Sequence, residues 1–210
     1  MKIFDITLPI TKTLVVWPGE KGLRVTTVRA FPKDPVHVSD LAIGAHTGTH
    51  LDAPMHFLPK GKPLEKVPLD NLVGLCRVLK LPVKSYQSKV VEFRDLKPFK
   101  IKKGERLIFN LGNGARLLKK EFDQDYVAIG NDAARFLAAQ KTKLVGVDYL
   151  SVERRGNPGH PVHVSLLSAG TAIVEGLNLQ GVKPGTYTLV CLPLSMVGVE
   201  ASPVRAILLA

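Results

Sequence analysis

The chain has 210 residues, of which 45% are hydrophobic and 22% are charged, as in an ordinary globular protein. No apolar run approaches the roughly 20 residues of a membrane-spanning helix, and the N-terminus lacks the apolar segment of a signal peptide, so we expect a cytoplasmic protein with no membrane partner. The formal net charge of +11 suggests a nucleic-acid partner, but the lysines are dispersed and aromatic residues do not alternate with them, which favours a solvated basic surface without nucleic acid.

Short runs of β-branched residues and leucine predict a chain with more strand than helix. Residues 2–10 and 23–31 alternate like strands, and Pro18, Gly19 and Gly22 between them indicate a turn. Later runs have few polar breaks and are typical of strands that are buried on both faces. These runs are residues 105–111, 143–148, 172–177, 187–194 and 204–210.

Helices are fewer. Residues 131–141 have helical spacing with Asn131 as the candidate N-cap, residues 162–170 predict a second short helix, and Pro68 allows only a brief helix around it. We therefore predict an α/β fold, with a β-rich mixed sheet or barrel-like core and a few flanking helices. No linker, repeat or low-complexity segment divides the chain, so we expect one domain over residues 1–210.

The segment "GAHTGTHLDAPMHF" concentrates groups that can bind a metal. His46, His50, Asp52 and His56 all occupy even positions, so in an extended chain they point to one face. At ~3.3 Å per residue, the Cα atoms of two residues four apart are roughly 13 Å apart, so two imidazoles reach one ion only if the chain bends near Gly48. A His/His/Asp set suits zinc or manganese with a position left for water. The alternative is a set of polar residues on a surface loop.

This segment resembles the signature H-x-G-T-H-x-D-x-P-x-H of the cyclase family of metal-dependent hydrolases, which includes bacterial kynurenine formamidase and isatin hydrolase. Other segments are similar to the family as well, and the resemblance covers nearly the whole chain. They are "DITLPI" with "VVWPGE", "GVDYLSVE", "HVSLLSAGTAIVEGLNL" and "LPLSMVGVEASPVRAILL". The resemblance implies a single hydrolase domain with a fold of the swivelling β/α type, and a homodimer or tetramer.

The resemblance also implies a ligand set for two ions. His46, His50 and Asp52 would hold the first, and Asp52 would bridge to a second held also by His163 and Glu175. Glu175 lies in an apolar run, where a lone carboxylate is costly unless it is paired or binds a metal.

Three further side chains have proposed roles or alternatives. By the resemblance, His56 would be the unligated general acid and base. His160 follows a Gly-Pro-type turn and is interpreted as a loop histidine with no ligand role. Trp17 is the single tryptophan, and either stacking on an aromatic substrate or packing in the core would account for it.

The chain departs from the family pattern at three places. Glu20 stands in place of the usual aspartate, residues 110–116 differ from a segment that lines the pocket in many members, and Glu200-Ala201 replaces Asp-Gly. We expect none of these to touch the proposed ligands, so that the substrate is affected more than the chemistry.

These observations predict a metal-dependent hydrolase that cleaves an amide carbon–nitrogen bond of a small molecule. An arylformamidase acting on N-formylkynurenine, in tryptophan catabolism, is the leading hypothesis. Ring opening of isatin or another lactam or lactone is the alternative within the family. A basic nucleic-acid-binding domain and a non-catalytic metal-binding protein are alternatives of other classes.

Overall fold

The computed structural model of the protein describes residues 1–81 and 89–210. The strands are β1 (Ile3–Asp5), β2 (Arg24–Arg29), β3 (Val38–Ala42), β4 (His50–Asp52), β5 (Val73–Lys80), β6 (Val90–Val91), β7 (Arg106–Asn110), β8 (Ala128–Ile129), β9 (Leu144–Val147), β10 (Ala172–Glu175), β11 (Gly185–Pro193) and β12 (Ala201–Leu209). The α-helices are α1 (Leu69–Leu72), α2 (Phe93–Leu96), α3 (Gly114–Leu117), α4 (Asn131–Ala139) and α5 (Pro161–Ser168). Within these two ranges, no helix is both long and apolar enough to cross a membrane.

The main sheet closes on itself. Its strands follow the order β12-β11-β5-β7-β9-β10-β4, and β4 pairs with β12 as well as with β10, which completes the ring. The pairs from β5 to β10 are parallel, and the remaining pairs are antiparallel. Strand β1 is added outside the ring, beside β12. This closed mixed sheet with few helices confirms the predicted α/β class and its barrel-like core.

The parallel strands are apolar on both faces because each face meets a separate core. On β7, Leu107 and Phe109 pack with apolar residues of α4 and α5, such as Leu137 and Leu166. The intervening Ile108 points to the other core, which lies between the strands of the ring. The five predicted runs overlap β7, β9, β10, β11 and β12. Burial on both faces is confirmed for β7, β9 and β10, but it is wrong for β11 and β12, in which buried residues alternate with more exposed ones.

Some predicted boundaries differ from the structure. Helix α4 begins at Asn131, so Gly130 and not Asn131 occupies the N-cap position. A Cβ on Gly130 would lie 2.8 Å from the carbonyl oxygen of Val91, and this close approach of two backbones fixes where the helix starts. The strand predicted over residues 2–10 is limited to Ile3–Asp5, and β3 and β5 were not predicted as strands.

Strands β2 and β3 form a separate antiparallel ribbon. All five residues of β3 and five of the six residues of β2 are exposed. Phe31 and Leu41 each expose 67% of their surface. An isolated two-stranded ribbon is at best marginally stable in water, so this part of the chain gains little from its own packing.

Candidate metal centre

Strand β4 places two of the predicted ligands beside a third. It pairs antiparallel with β10, with His50 opposite Glu175 and Asp52 opposite Ile173. Because His50 and Asp52 are two residues apart on one strand, their side chains point to the same face. His50, Asp52 and Glu175 are all buried.

The chain bends at Gly48, as the spacing of the histidines predicted. Gly48 has φ of +70°, a left-handed conformation that glycine adopts without steric cost. The bend brings the imidazoles of His46 and His50 together, with ring centroids 5.1 Å apart. The extended segment is shorter than predicted, because only residues 50–52 form a strand and His56 lies in a 3₁₀ turn.

Five side chains converge at this place. The Nδ1 atom of His46 is 3.0 Å from Asp52 Oδ1, and His50 Nε2 is 3.5 Å from the same oxygen. His50 Nε2 is also 3.4 Å from Glu175 Oε2, and His163 Nε2 is 3.4 Å from Glu175 Oε1. His46, His50 and Asp52 form one group whose nitrogen and oxygen atoms lie within 4.8 Å of one another, and Asp52, His163 and Glu175 form a second.

The geometry of the two groups fits divalent cations. His50 Nε2 and both carboxylate oxygens of Asp52 are buried, and none of the three forms a hydrogen bond of good geometry in the described part of the chain, although His46 Nδ1 lies 3.0 Å from one of the oxygens. Unpartnered buried polar atoms are costly, and a carboxylate more so. Two atoms that each bind a tetrahedral zinc ion at about 2.0–2.1 Å lie roughly 3.3 Å apart, which is close to the spacings between these side chains.

Two of the imidazoles are oriented by a hydrogen bond from the ring nitrogen that faces away from the cluster. His50 Nδ1 donates to the carbonyl oxygen of Gly48 at 2.9 Å, and His163 Nδ1 donates to Glu153 Oε2 at 2.7 Å. A histidine that donates from one nitrogen presents the lone pair of the other, as metal-binding histidines usually do. Glu153 is itself fixed, because its Oε1 accepts the Val162 amide at 3.0 Å. Sequence reasoning missed Glu153, although it ends the motif "GVDYLSVE".

A carboxylate also lies beside His46, as Glu153 lies beside His163, and it belongs to Glu200. Glu200 Oε1 lies 3.3 Å from His46 Nε2, on the side of the ring away from Asp52. The expectation that the departures from the family pattern do not touch the proposed ligands is therefore wrong for Glu200. Glu20 lines the same cavity. Burial lowers the pKa of His46, but the contact with Asp52 and the charge of Glu20 outweigh burial and raise it.

The carboxylates of the cluster favour positive charge on the neighbouring imidazoles. Burial lowers the pKa values of His50 and His163, but their carboxylate neighbours, chiefly Glu175 and Glu153, outweigh burial and raise both to about 9. Burial raises the pKa of Asp52, but the adjacent imidazoles hold it well below its usual range. The carboxylates are thus ionised at neutral pH, and protons compete with a metal ion for the imidazole nitrogens.

The cluster opens into a cavity of about 160 Å³. Trp17 and Phe57 form aromatic parts of its wall. Trp17 also packs edge-on against Phe122, with centroids 4.9 Å apart, so it both lines the cavity and contributes to a hydrophobic cluster. His160 lines the cavity with an exposed side chain and belongs to neither group of potential ligands.

His56 lines the cavity without joining either group of ligands. Its ring centroid is 4.1 Å from that of His46 and 6.1 Å from that of His163. Burial lowers the pKa of His56 below its ordinary value, so its imidazole is neutral at neutral pH and able to accept a proton.

The divergent segment 110–116 does not line this cavity. Asn110 and Gly114 line a different cavity of about 270 Å³, together with Asp148. Asp148 fixes the segment, since its carboxylate accepts the Leu111 amide at 3.0 Å and the Asn113 amide at 2.9 Å. The expectation that this segment shapes the substrate pocket is therefore wrong in the present chain.

Known proteins of similar sequence and structure match nearly the whole chain. The family model "Cyclase", described as "Putative cyclase", matches residues 4–154. A protein named kynurenine formamidase from Salinibacter ruber (strain DSM 13855 / M31) is 33% identical over 210 residues, 99% of this chain and 97% of that protein. A solved structure described as a potential metal-dependent hydrolase with cyclase activity is 34% identical, with a TM-score of 0.87 over 99% of this chain and 96% of that one. Isatin hydrolase A from Labrenzia aggregata shares the fold, with 20% identity and a TM-score of 0.82 over 99% and 93% of the two chains.

The closed mixed sheet, the clustered His, Asp and Glu side chains and these relatives define an enzyme of the metal-dependent hydrolase class. Because the family model matches more than half of the chain, residues 4–154, and a relative is 33% identical over 99% of it, the chain belongs to the cyclase family.

Replacing Glu153 by Gln should loosen His163 and weaken metal binding. The variant loses the carboxylate that holds Nδ1, so we expect the affinity for Zn²⁺ to fall about 10- to 100-fold in competition with a chromogenic chelator. In metal-free protein we expect the free energy of unfolding in urea to fall by about 1–3 kcal/mol, because a buried hydrogen-bonded charge is lost. Glu121→Gln makes the same charge change at an exposed position and serves as the control. Unchanged Zn²⁺ affinity in Glu153→Gln would mean that this hydrogen bond does not orient His163.

Proposed function

We propose that the protein is an arylformamidase, which hydrolyses the formamide bond of an N-formylated aromatic amine such as N-formylkynurenine. The observation that carries the proposal is the five-residue cluster facing a small cavity with aromatic walls and an unligated histidine. The full-length similarity to the Salinibacter ruber kynurenine formamidase supports this substrate class.

The proposed ligand set is His46, His50 and Asp52 for one divalent ion, and Asp52, His163 and Glu175 for a second. Both sets are supported by the spacing of their ligand atoms and by the buried oxygens of Asp52, which lack a hydrogen bond of good geometry. Imidazole and carboxylate ligands suit zinc and manganese alike. Such ions would lower the pKa of a water molecule toward about 7 and polarise the substrate carbonyl.

The proposed roles of the remaining side chains follow from their places in the cavity. His56 takes a proton from the attacking water and transfers it to the departing aniline nitrogen, which suits a neutral imidazole beside the cluster. Trp17 and Phe57 stack against the aromatic ring of the substrate. The products are formate and the free aromatic amine.

Purified protein supplied with Zn²⁺ or Mn²⁺ should release formate from N-formylkynurenine faster than it opens isatin. His50→Ala removes a nitrogen from the first ion site, and we expect its activity to fall at least about 100-fold, since the protein then lacks metal chemistry at the reacting carbonyl. Lys103→Ala, at an exposed turn outside the cavity and outside the β2–β3 ribbon, is the control and should retain full activity. Faster opening of isatin would favour the lactam hypothesis, and full activity of His50→Ala would refute the proposed ligand set.

Replacing His56 by Ala separates catalysis from metal binding. A general acid and base contributes about 10²- to 10⁴-fold, so we expect kcat to fall by that factor. Because His56 belongs to neither ligand group, the variant should retain as much bound metal as the wild type in elemental analysis. Loss of metal would identify His56 as a ligand, and unchanged kcat would exclude it from proton transfer.

We also propose that the protein is a homo-oligomer, a dimer or a tetramer, held together partly by the β2–β3 ribbon. The exposed strands of the ribbon and the exposed side chains of Phe31 and Leu41 support this proposal. Apolar surface of this kind is typical of an interface between subunits.

Light scattering coupled to size-exclusion chromatography should give a mass of two or four chains. Leu41→Lys should shift the protein toward a smaller species, because it places a charge in the proposed interface. Leu118→Lys is a matched control, since Leu118 is 68% exposed and lies outside the ribbon. A monomeric wild type, or equal masses for Leu41→Lys and the wild type, would contradict the proposal.

A further inference from the structure

A second cavity adjoins the one beside the cluster of potential metal ligands. It has a volume of about 700 Å³ and is more open to solvent. Arg154, Arg155 and Gly156 line both cavities, so this short segment is their common wall. A ligand that fills the smaller cavity can therefore extend past the two arginines into the larger one.

The unneutralised charge of the larger cavity is positive. Its two acidic residues have partners. Glu92 forms an ion pair with Arg94 at 2.9 Å, and the carboxylate of Asp132 accepts two backbone amides at 2.7 and 3.0 Å. By contrast, no carboxylate of residues 1–81 or 89–210 lies within ion-pair distance of Arg135, Arg154 or Arg155. The intervening residues 82–88 contain no aspartate or glutamate.

The two shared arginines are held by aromatic side chains. Arg154 donates to the carbonyl oxygen of Tyr126, and its guanidinium carbon lies 4.8 Å from the centre of the Tyr126 ring. Arg155 is exposed, with its guanidinium carbon 5.8 Å from the centre of the Phe122 ring. Phe122 is also the ring against which Trp17 packs. The Phe122 ring therefore lies between Arg155 and Trp17, on which we expect the substrate to stack.

We propose that Arg155, supported by Arg154, binds a carboxylate that the substrate carries on an arm remote from the scissile bond. The proposal rests on the proposed arylformamidase function and narrows its substrate class to N-formyl aromatic amines whose side chain carries a carboxylate. The aromatic formamide occupies the 160 Å³ cavity, and the arm passes Arg155 into the larger cavity. A guanidinium suits this role because its planar fork donates two parallel hydrogen bonds to a carboxylate.

Steady-state kinetics of Arg155→Ala on two substrates tests the proposal. N-formylkynurenine has an arm with a carboxylate, whereas formanilide has the same scissile bond and no arm. We expect KM for N-formylkynurenine to rise about tenfold with kcat nearly unchanged, because the lost contact is present equally in ground state and transition state. KM for formanilide should not change. Arg155→Lys keeps the charge without the fork and should recover part of the loss.

Arg205→Ala is the matched control, because it removes a surface arginine that lines neither cavity. Equal KM values for N-formylkynurenine in the wild type and Arg155→Ala, or the same increase on both substrates, would overturn the inference and leave the proposed function standing. Hydrolysis of neither substrate by the wild type would overturn the proposed function and the inference with it.

A binding measurement on metal-free protein adds a result that does not depend on turnover. Trp17 is the single tryptophan and lines the smaller cavity, so its fluorescence reports occupancy there. Kynurenine keeps the arm with its carboxylate and should quench this fluorescence with about tenfold lower affinity in Arg155→Ala than in the wild type. Aniline lacks the arm and should bind both proteins equally. Equal kynurenine affinity in both proteins would contradict the role of Arg155.

Discussion

Strand β4 is only three residues long, yet it closes the sheet and sets the geometry of the candidate metal centre. It pairs with β10 on one side and β12 on the other, so His50 lies opposite both Glu175 and Pro203. A strand with hydrogen-bonded neighbours on both sides has little freedom to shift, since a slip of one residue would turn each side chain to the opposite face. The relative positions of His50 and Glu175 therefore follow from backbone pairing within the sheet. A site on such strands is more rigid than one built from loops.

Closure of the sheet also brings the backbone after β10 close to the bend that precedes β4. A Cβ on Gly176 would lie 2.4 Å from the carbonyl oxygen of Gly48, so the chain passes at a distance that only glycine allows. Thr49 connects the same segments, since its hydroxyl donates to Gly176 O at 2.6 Å and accepts the Leu8 amide at 2.8 Å. These contacts hold the bend that turns His46 toward the cluster. The carboxylates of the cluster are then buried among imidazoles, an arrangement that a bound cation would stabilise.

The sequence predicted the parts of the site that depend on local spacing. The bend at Gly48 and the shared face of His50 and Asp52 follow from the period of an extended chain, and the structure contains both. The contacts of Glu153 with His163 and of Glu200 with His46 could not be predicted in this way, because they depend on how distant segments meet once the sheet has closed. The fold class was predictable because the parallel strands are long apolar runs. Strand β3 was missed because its residues are exposed and show no apolar period.

Substrate selection and metal binding are connected through one segment of the chain. Glu153, at the buried end of the motif "GVDYLSVE", accepts a hydrogen bond from His163. The next two residues, Arg154 and Arg155, line the wall between the two cavities. The proposed carboxylate contact of Arg155 therefore lies only two residues from Glu153, which orients a potential metal ligand. The burial of Glu153 and the exposure of Arg155 separate the two tasks, since a side chain that faces solvent can change without disturbing the hydrogen bonds beneath it. The divergent segment 110–116 is held by Asp148 at a different cavity, away from this shared wall.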